Sequence, residues 1–360
     1  MAYLQETLLN AYLEQGGNSE FRPDRPGLLD AVIQRGTPFI NKFMKPSTVE
    51  QLRTMIGTRQ ASIPVLKDQE VIVNRTPGFA NIPANLLESA NYQFAAYDVF
   101  SGFQLFPSSF AQNQIDMESY VSETMNRVLN ACAVEIESIL TDVAELRKTQ
   151  TLGFTTQVSQ GDGVFTFDAP TDTLQINKAA QEDTMYWLLH SLMRANKLPG
   201  DYSLVTSPAG LTPAITEAAK FGPSNQKNLQ FQATQIPLDR YYESDSISPG
   251  SDVFNGYFMQ DGALGIIENF PPDFVSGTTV GERNWSISNA PMNGVGLRAN
   301  VFMNREASDA STLFTPINPS LKMSHWEEMA LWFRFYVVYP YNSNIAGKAQ
   351  NIVKIKGLTT

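Results

Sequence analysis

The clearest hydrophobic pattern in the chain predicts one long helix between Asp116 and Lys148. Apolar residues recur at spacings of three and four, uninterrupted by glycine or proline, and therefore fall on one stripe of an α-helix. The stripe consists of Val121, Met125, Val128, Cys132, Ile136, Ile139, Val143 and Leu146. At 1.5 Å per residue the helix would span about 50 Å, longer than a compact domain is wide. We therefore expect it to lie across a sheet, with a coiled-coil strand as the alternative.

The segment before this helix predicts short helices that cannot hold a fold alone. Amphipathic patterns indicate helices over 3–15 and 27–34. A third begins at Pro46, where Ser47 and Glu50 can form a capping box. Helices this short must pack on the body of the chain or on a neighbour.

Residues 61–110 predict an extended hairpin arm. Two β-type runs flank a middle that is rich in proline and asparagine. The returning run carries the aromatic residues Tyr92, Phe94, Tyr97, Phe100, Phe103 and Phe106. A two-stranded ribbon is only marginally stable in water, so we expect this one to lie on another surface. The alternative is an ordinary pair of strands inside a sheet.

Beyond the long helix, the pattern predicts a compact α+β region. Two strands are expected around a turn at 160–163, then a helix over about 178–196 and a buried strand at 202–208. A helix at 211–221 and several strands within 229–302 follow.

The C-terminal part of the chain predicts two further strands. The run from Glu327 to Pro340 is apolar on both faces, which is typical of a strand covered on both sides. The run 351–357 predicts a final strand with Lys354 and Lys356 pointing outward.

Composition narrows the function classes. The 360 residues are 42% hydrophobic and can bury a sizeable core. The net charge of -10 argues against tight binding of nucleic-acid phosphates over a broad face. Only 17% of residues are charged while 11% are aromatic, which favours a surface covered by other subunits. The N-terminus has no secretion signal, and no apolar run is long enough for a membrane span.

Few residues offer chemistry, and no catalytic, cofactor or metal site is predicted. His190 and His325 lack a second ligand at a useful spacing, so we interpret them as packed or surface histidines. Cys132, the single cysteine, lies on the helix stripe and predicts a buried thiol. The acidic loop 243–252 lacks EF-hand spacing and predicts a solvated turn. The alternative is an enzyme whose site these motifs do not show.

The order of the predicted elements resembles that of the major capsid proteins of tailed bacteriophages, the Hong Kong-97-like fold that encapsulins share. The segments that carry the resemblance are MESYVSETMNRVLNACAVEIESIL as a spine helix, YSLVTSPAGLTPAI, the strand pair FNGYFMQDGALGIIENF, and FRFYVVYP with NIVKIKG.

The resemblance implies an α+β fold divided into arms and two domains. The expected parts are an N-terminal arm at 1–60, an extended hairpin arm at 61–110, a peripheral domain at 111–178 and 301–360 with the spine helix at 116–148, and an axial domain at 179–300. Tyr92, Phe94, Phe103 and Phe106 on the hairpin arm are the expected contacts to a neighbouring subunit.

The same resemblance implies that the chain is a structural shell protein and not an enzyme. Pentamers and hexamers would close into an icosahedral shell around a double-stranded DNA genome, in virions assembled in the host bacterial cytoplasm. An encapsulin-type nanocompartment that packages protein cargo is the alternative.

No charged helical scaffold segment is recognisable before the hairpin arm, so we expect a separate scaffolding protein or a processed chain. Portal and decoration proteins are further expected partners, without a cofactor or a membrane. Lys67 lies on the hairpin arm, but no cross-linking partner is identifiable.

Overall fold

A computed structural model describes most of the chain, with gaps. The described residues are 26–38, 46–54, 60–66, 89–105, 117–149, 165–178, 185–195, 198, 200–208, 210, 240–270, 279–280, 285–292, 295–304, 327–340, 348–349 and 351–359. The helices expected at 3–15 and 211–221 and the turn expected at 160–163 lie outside this part of the chain.

The described residues contain four α-helices. They are α1 (Gly27–Ala31), α2 (Pro46–Thr54), α3 (Met117–Arg147) and α4 (Met185–Ala195). The helix α1 continues without a break into a π-helical turn, Val32–Gly36. The long helix predicted from the apolar stripe is confirmed as α3, with 31 residues.

Thirteen strands are described. They are β1 (Gln60–Leu66), β2 (Ser89–Leu105), β3 (Phe165–Asp168), β4 (Thr173–Ile176), β5 (Tyr202–Thr206), β6 (Tyr241–Glu243), β7 (Phe254–Gln260), β8 (Gly265–Glu268), β9 (Thr279–Val280), β10 (Trp285–Met292), β11 (Leu297–Asn304), β12 (Glu327–Val338) and β13 (Ile352–Gly357). The α+β class expected from the sequence is confirmed.

Seven strands form the first sheet, in the order β1-β2-β12-β11-β10-β9, with β8 also paired to β12. In this sheet β12 pairs with β2 along ten residues and with β11 and β8 in turn. Ala330, Leu331, Phe333, Phe335 and Tyr336 are all buried, so both faces of β12 are covered, as its sequence predicts.

Six strands form the second sheet, in the order β3-β4-β13-β7-β5-β6. Side chains alternate between two cores along β7: Phe254 and Phe258 pack with α4, whereas Tyr257 and Met259 belong to the core that contains α3. The second sheet is therefore enclosed between the two helices.

One strand pairing differs from that expected. The segment expected as a strand pair forms β7 and β8, but these strands belong to different sheets. The chain redirects between them at Gly262, whose φ of +85° favours glycine. In addition, β3 pairs with β4, a strand that the sequence did not predict.

Strand pairings join segments that the expected domain division separates, and the division itself stays a prediction. The boundary expected at residue 300 falls inside β11. Moreover, β8 from the 179–300 segment pairs with β12, and β13 from the C-terminal segment pairs with β7. Hydrogen bonding within each sheet thus crosses the expected boundary.

The buried face of α3 is displaced from the predicted stripe. Its fully buried residues are Met125, Leu129, Cys132, Ala133, Ile136, Glu137, Leu140, Val143 and Ala144. Leu146, which was expected in the stripe, is 63% exposed, and Val128 and Ile139 are only half-buried. The face turns toward Ala133 and Ala144, whose small side chains permit close contact and which the stripe omitted. The predicted burial of Cys132 is confirmed.

The C-terminal end of α3 is bound to the last strand region. The Ala349 N–H donates to the Arg147 carbonyl over 2.6 Å. Glu145 on α3 accepts a hydrogen bond from the Tyr257 hydroxyl and pairs with Lys354 at 2.9 Å. The prediction that Lys354 and Lys356 point outward is therefore corrected: Lys354 faces α3, and Lys356 lies 3.9 Å from Asp252.

Because the buried face is displaced, the same substitution at two leucines of α3 should lower the free energy of unfolding by very different amounts. Leu140→Ala should lower the free energy of unfolding by about 2–5 kcal/mol, because it empties a fully buried position. Leu146→Ala should change it by less than about 0.5 kcal/mol, because that side chain is exposed. Urea unfolding followed by circular dichroism measures both. Equal losses would contradict the observed face.

Candidate assembly surface

The strand β2 has two different partners along its 17 residues. Residues 89–95 pair with β1, whereas residues 96–105 pair with β12. One continuous strand is thus one of the two strands of a hairpin and, farther along, one of the two strands of a central ladder of the first sheet. Seven hairpin residues correspond to about 23 Å of strand.

The structure describes the side chains of two of the four predicted contact residues, Phe94 and Phe103. Phe94 is 2% exposed and packs edge-to-face on Tyr339, with ring centroids 5.6 Å apart. It belongs to the core of its own chain and has almost no area for a neighbour, which corrects its expected role. Phe103 is half-buried against the same core. Tyr92 pairs with Ile63 in the β1–β2 ladder, but its side chain lies outside the described part, as does the whole of Phe106.

A different aromatic residue of β2 is exposed. The Phe100 side chain is 48% exposed and lies directly across from Trp332 on β12. The Trp332 indole N–H donates to Asp98 over 3.0 Å, and the Arg334 guanidinium lies 5.7 Å from the centroid of the Trp332 ring. The Phe302 ring centroid is 6.1 Å from that of Trp332. We call Asp98, Phe100, Phe302, Trp332 and Arg334 the Phe100 patch.

Sequence reasoning did not single out Phe100 among the six aromatic residues of the returning run. These residues occupy both alternating faces of the strand, and only the pairing register with β12 shows which face is covered. The signal that could have helped is the aromatic content of β12, whose Trp332 stands opposite Phe100.

Large apolar side chains are also exposed on α3. Tyr120 is 40% exposed near the start of the helix, and Leu146 is exposed at its end. Glu123 and Arg127 form an ion pair on the same solvent-facing side, one turn apart. The outer face of α3 is therefore mixed, with an apolar group near each end.

The residues considered for chemistry are packed into the fold. His190 packs edge-to-face against the stacked rings of Tyr202 and Phe258, at centroid distances of 6.0 and 5.2 Å, and burial lowers its pKa. Burial also raises the pKa of Cys132 to about 12, with a smaller contribution from Glu135, so the thiol is not a nucleophile at neutral pH. His325 lies outside the described residues.

No metal or membrane site is found in the part of the chain that is described. The described residues contain no group of three or more histidine, cysteine, aspartate or glutamate side chains that could hold a metal ion. In the acidic loop, Asp252 pairs with Lys356. None of the described helices combines the length and apolarity of a membrane span.

One buried charge was missed by sequence reasoning. Glu137 on α3 is fully buried and accepts hydrogen bonds from the Leu28 N–H at 2.9 Å, the Leu29 N–H at 2.5 Å and the Ser244 hydroxyl at 2.5 Å. Burial raises its pKa, although the three donors oppose this shift. Glu137 is adjacent to Ile136 of the predicted stripe, but nothing in the sequence names its partners.

Comparison with known proteins gives matches at the level of structure alone. No family model matches the chain, and no curated protein matches its sequence. A solved structure from Mycobacterium phage Che8 matches with 9% identity and a TM-score of 0.45, covering 89% of this chain and 91% of that chain. The capsid structure of the cyanophage P-SCSP1u matches with 11% identity and a TM-score of 0.44, covering 86% of each chain. The capsid asymmetric unit of cyanophage Pam1 matches with 11% identity and a TM-score of 0.43, covering 88% of each chain. The chain is thus similar in structure to chains from phages, two of them described as capsid structures.

Proposed function

We propose that the chain is the shell-forming subunit of a tailed phage, its major capsid protein. Copies of it assemble through pentamers and hexamers into an icosahedral shell that encloses double-stranded DNA. The observation that carries the proposal is the double role of β2, which extends from a central ladder of the first sheet into a two-stranded hairpin.

One face of the hairpin half of β2 is uncovered by the described residues: Asn91, Gln93 and Ala95 are exposed, whereas Phe94 is buried in the chain's own core. Within the described part of the chain, β1 pairs with β2 alone and forms an edge of the first sheet. A ribbon of two strands is marginal in water unless a further strand or surface covers it. In a shell, a neighbouring copy provides that surface, and such head-to-tail contacts close into rings of five or six.

The edge of β1 disfavours one way of making that contact. Pro64 lies in the middle of β1, opposite Asn91. Proline has no N–H, so it is compatible with β1 only where its nitrogen faces away from β2. The outer edge therefore lacks a donor at its centre, and a strand added there would lose one hydrogen bond. We infer that a neighbour covers the face of the hairpin and not its edge.

The Phe100 patch is the second proposed contact. An exposed aromatic ring beside Trp332 and Arg334 has the composition that is enriched in protein interfaces. Because Phe100 lies five residues from the hairpin on the same strand, one neighbouring copy could cover both.

The proposed partners follow from the shell role. A separate scaffolding protein directs assembly in the host bacterial cytoplasm, and portal and decoration proteins complete the virion capsid. The net charge of -10 suits a container for DNA that does not bind its phosphates tightly.

Replacement of the hairpin tests the double role of β2. Residues 62–93 are exchanged for Asn-Gly, because Ala61 and Phe94 stand opposite each other and a two-residue turn can join them. The variant keeps residues 96–105 and should fold, with a cooperative unfolding transition by circular dichroism. Sedimentation should show that it no longer forms shells. Normal shells from this variant would contradict the proposed role of the hairpin.

Two phenylalanines of β2 should separate stability from assembly. Phe94→Ala should lower the free energy of unfolding by about 3–5 kcal/mol, because its ring is buried in the core. Phe100→Ala should cost less than about 1 kcal/mol and yet reduce the yield of shells. Urea unfolding and sedimentation measure the two effects. Unchanged shell yield in Phe100→Ala would remove the Phe100 patch from the proposed interface.

A further inference from the structure

Residues 26–38, which we call the docked segment, are bound in a closely fitted site. Leu28 and Leu29 are fully buried. A Cβ atom on Gly27 would lie 2.2 Å from the Glu243 carbonyl oxygen of β6, and one on Gly36 would lie 1.8 Å from the Leu264 carbonyl oxygen. The segment therefore packs backbone against backbone at both of its ends, a fit that only glycine permits.

The third contact of the docked segment is the buried carboxylate of Glu137. Its oxygens accept hydrogen bonds from two main-chain N–H groups of α1 and from the Ser244 hydroxyl, which follows β6. This one side chain thus joins the long helix α3, the docked segment and the second sheet.

The hydrogen-bond partners of Glu137 differ in whether they can accept a hydrogen bond from the carboxyl group when it is protonated. A backbone N–H can only donate, whereas a serine hydroxyl can donate or accept. When Glu137 is ionised, Ser244 donates to it. When Glu137 is protonated, its O–H can donate to Ser244, while the carboxyl oxygens still accept from Leu28 and Leu29. Ser244 is therefore the partner that fits both protonation states.

Burial of the Glu137 carboxyl group, more than the charges around it, favours its protonated state. Burial is the largest effect and raises the pKa of Glu137, the bonds from Ser244, Leu28 and Leu29 lower it, and Asp30 raises it through space. The other charged side chains of the surrounding elements are Arg35 on the docked segment, Glu243 and Asp245 on either side of Ser244, and Glu268 on β8. The strand β5, which also packs on the segment, carries no charged residue.

We propose that Glu137 is a proton-linked latch that holds residues 26–38 most tightly when it carries a proton and loosens them as the pH rises. The sign follows from linkage: a carboxyl group with a higher pKa in the docked than in the released state favours docking at low pH. The favourable contribution is complete below the ordinary value of 4.5 and is lost as the pH rises through the docked value. The proposal concerns the single chain and does not depend on the shell role.

Hydrogen exchange of the full chain, read by mass spectrometry between pH 4.5 and 8, tests the latch. After correction for intrinsic exchange, protection of residues 26–38 should fall with rising pH by up to about tenfold per pH unit. Protection of β12 serves as the internal reference.

Two variants assign the effect to Glu137. In Glu137→Gln, the neutral amide keeps one acceptor and can donate to Ser244, so protection of residues 26–38 should no longer depend on pH. Glu135→Gln is the matched control, because Glu135 is exposed on the same helix and should leave the wild-type dependence unchanged. Protection that does not vary with pH in the wild type, or that varies equally in Glu137→Gln, would overturn the proposal.

A third variant keeps the test decisive if Glu137→Gln does not fold. Ser244→Ala removes a hydrogen bond that lowers the pKa of Glu137. The pKa of the docked state is therefore higher, so the loss of protection should begin near the same pH as in the wild type but continue to a higher pH. An unchanged upper end of this pH range would overturn the role of Ser244 and, with it, the latch.

Discussion

Burial of one face of α3 against the sheets is the constraint on which the other contacts depend. The helix packs on β2 of the first sheet, and its C-terminal end meets β13 of the second sheet. Removal of this face, which includes Ala133 and Ala144, from water is the main favourable contribution to the free energy of folding. Glu145 and Lys354 then fix where the last strand meets the helix. The face thus belongs to one hydrophobic core that contains residues of both sheets.

The register between β2 and β12 determines which side chains of β2 are exposed. Phe100 is exposed and Val99 is buried because the two residues point to opposite faces of the same strand. A slip of one residue in this ladder would reverse both. The position of the Phe100 patch is therefore a consequence of how β12 is covered, and the hairpin is a continuation of the same strand.

Local pattern predicted the elements that carry their own signal. The uninterrupted apolar period predicted α3, and the two apolar faces of 327–340 predicted β12. Contacts between distant parts of the chain left no such signal. Leu146 fits the helical period but lies where nothing described covers it, and β7 and β8 are neighbours in sequence yet join different sheets. In the sequence, Glu137 resembles an ordinary surface charge, because its hydrogen-bond partners in α1 and at Ser244 are distant along the chain.

Particle formation tests the central claim most directly. The purified chain would be imaged by electron microscopy and sized by sedimentation, alone and with a candidate scaffolding protein. The account predicts shells, or rings with five-fold and six-fold symmetry, in at least one of these conditions. A stable small oligomer in both conditions would contradict it and would favour an enzyme or another compact assembly.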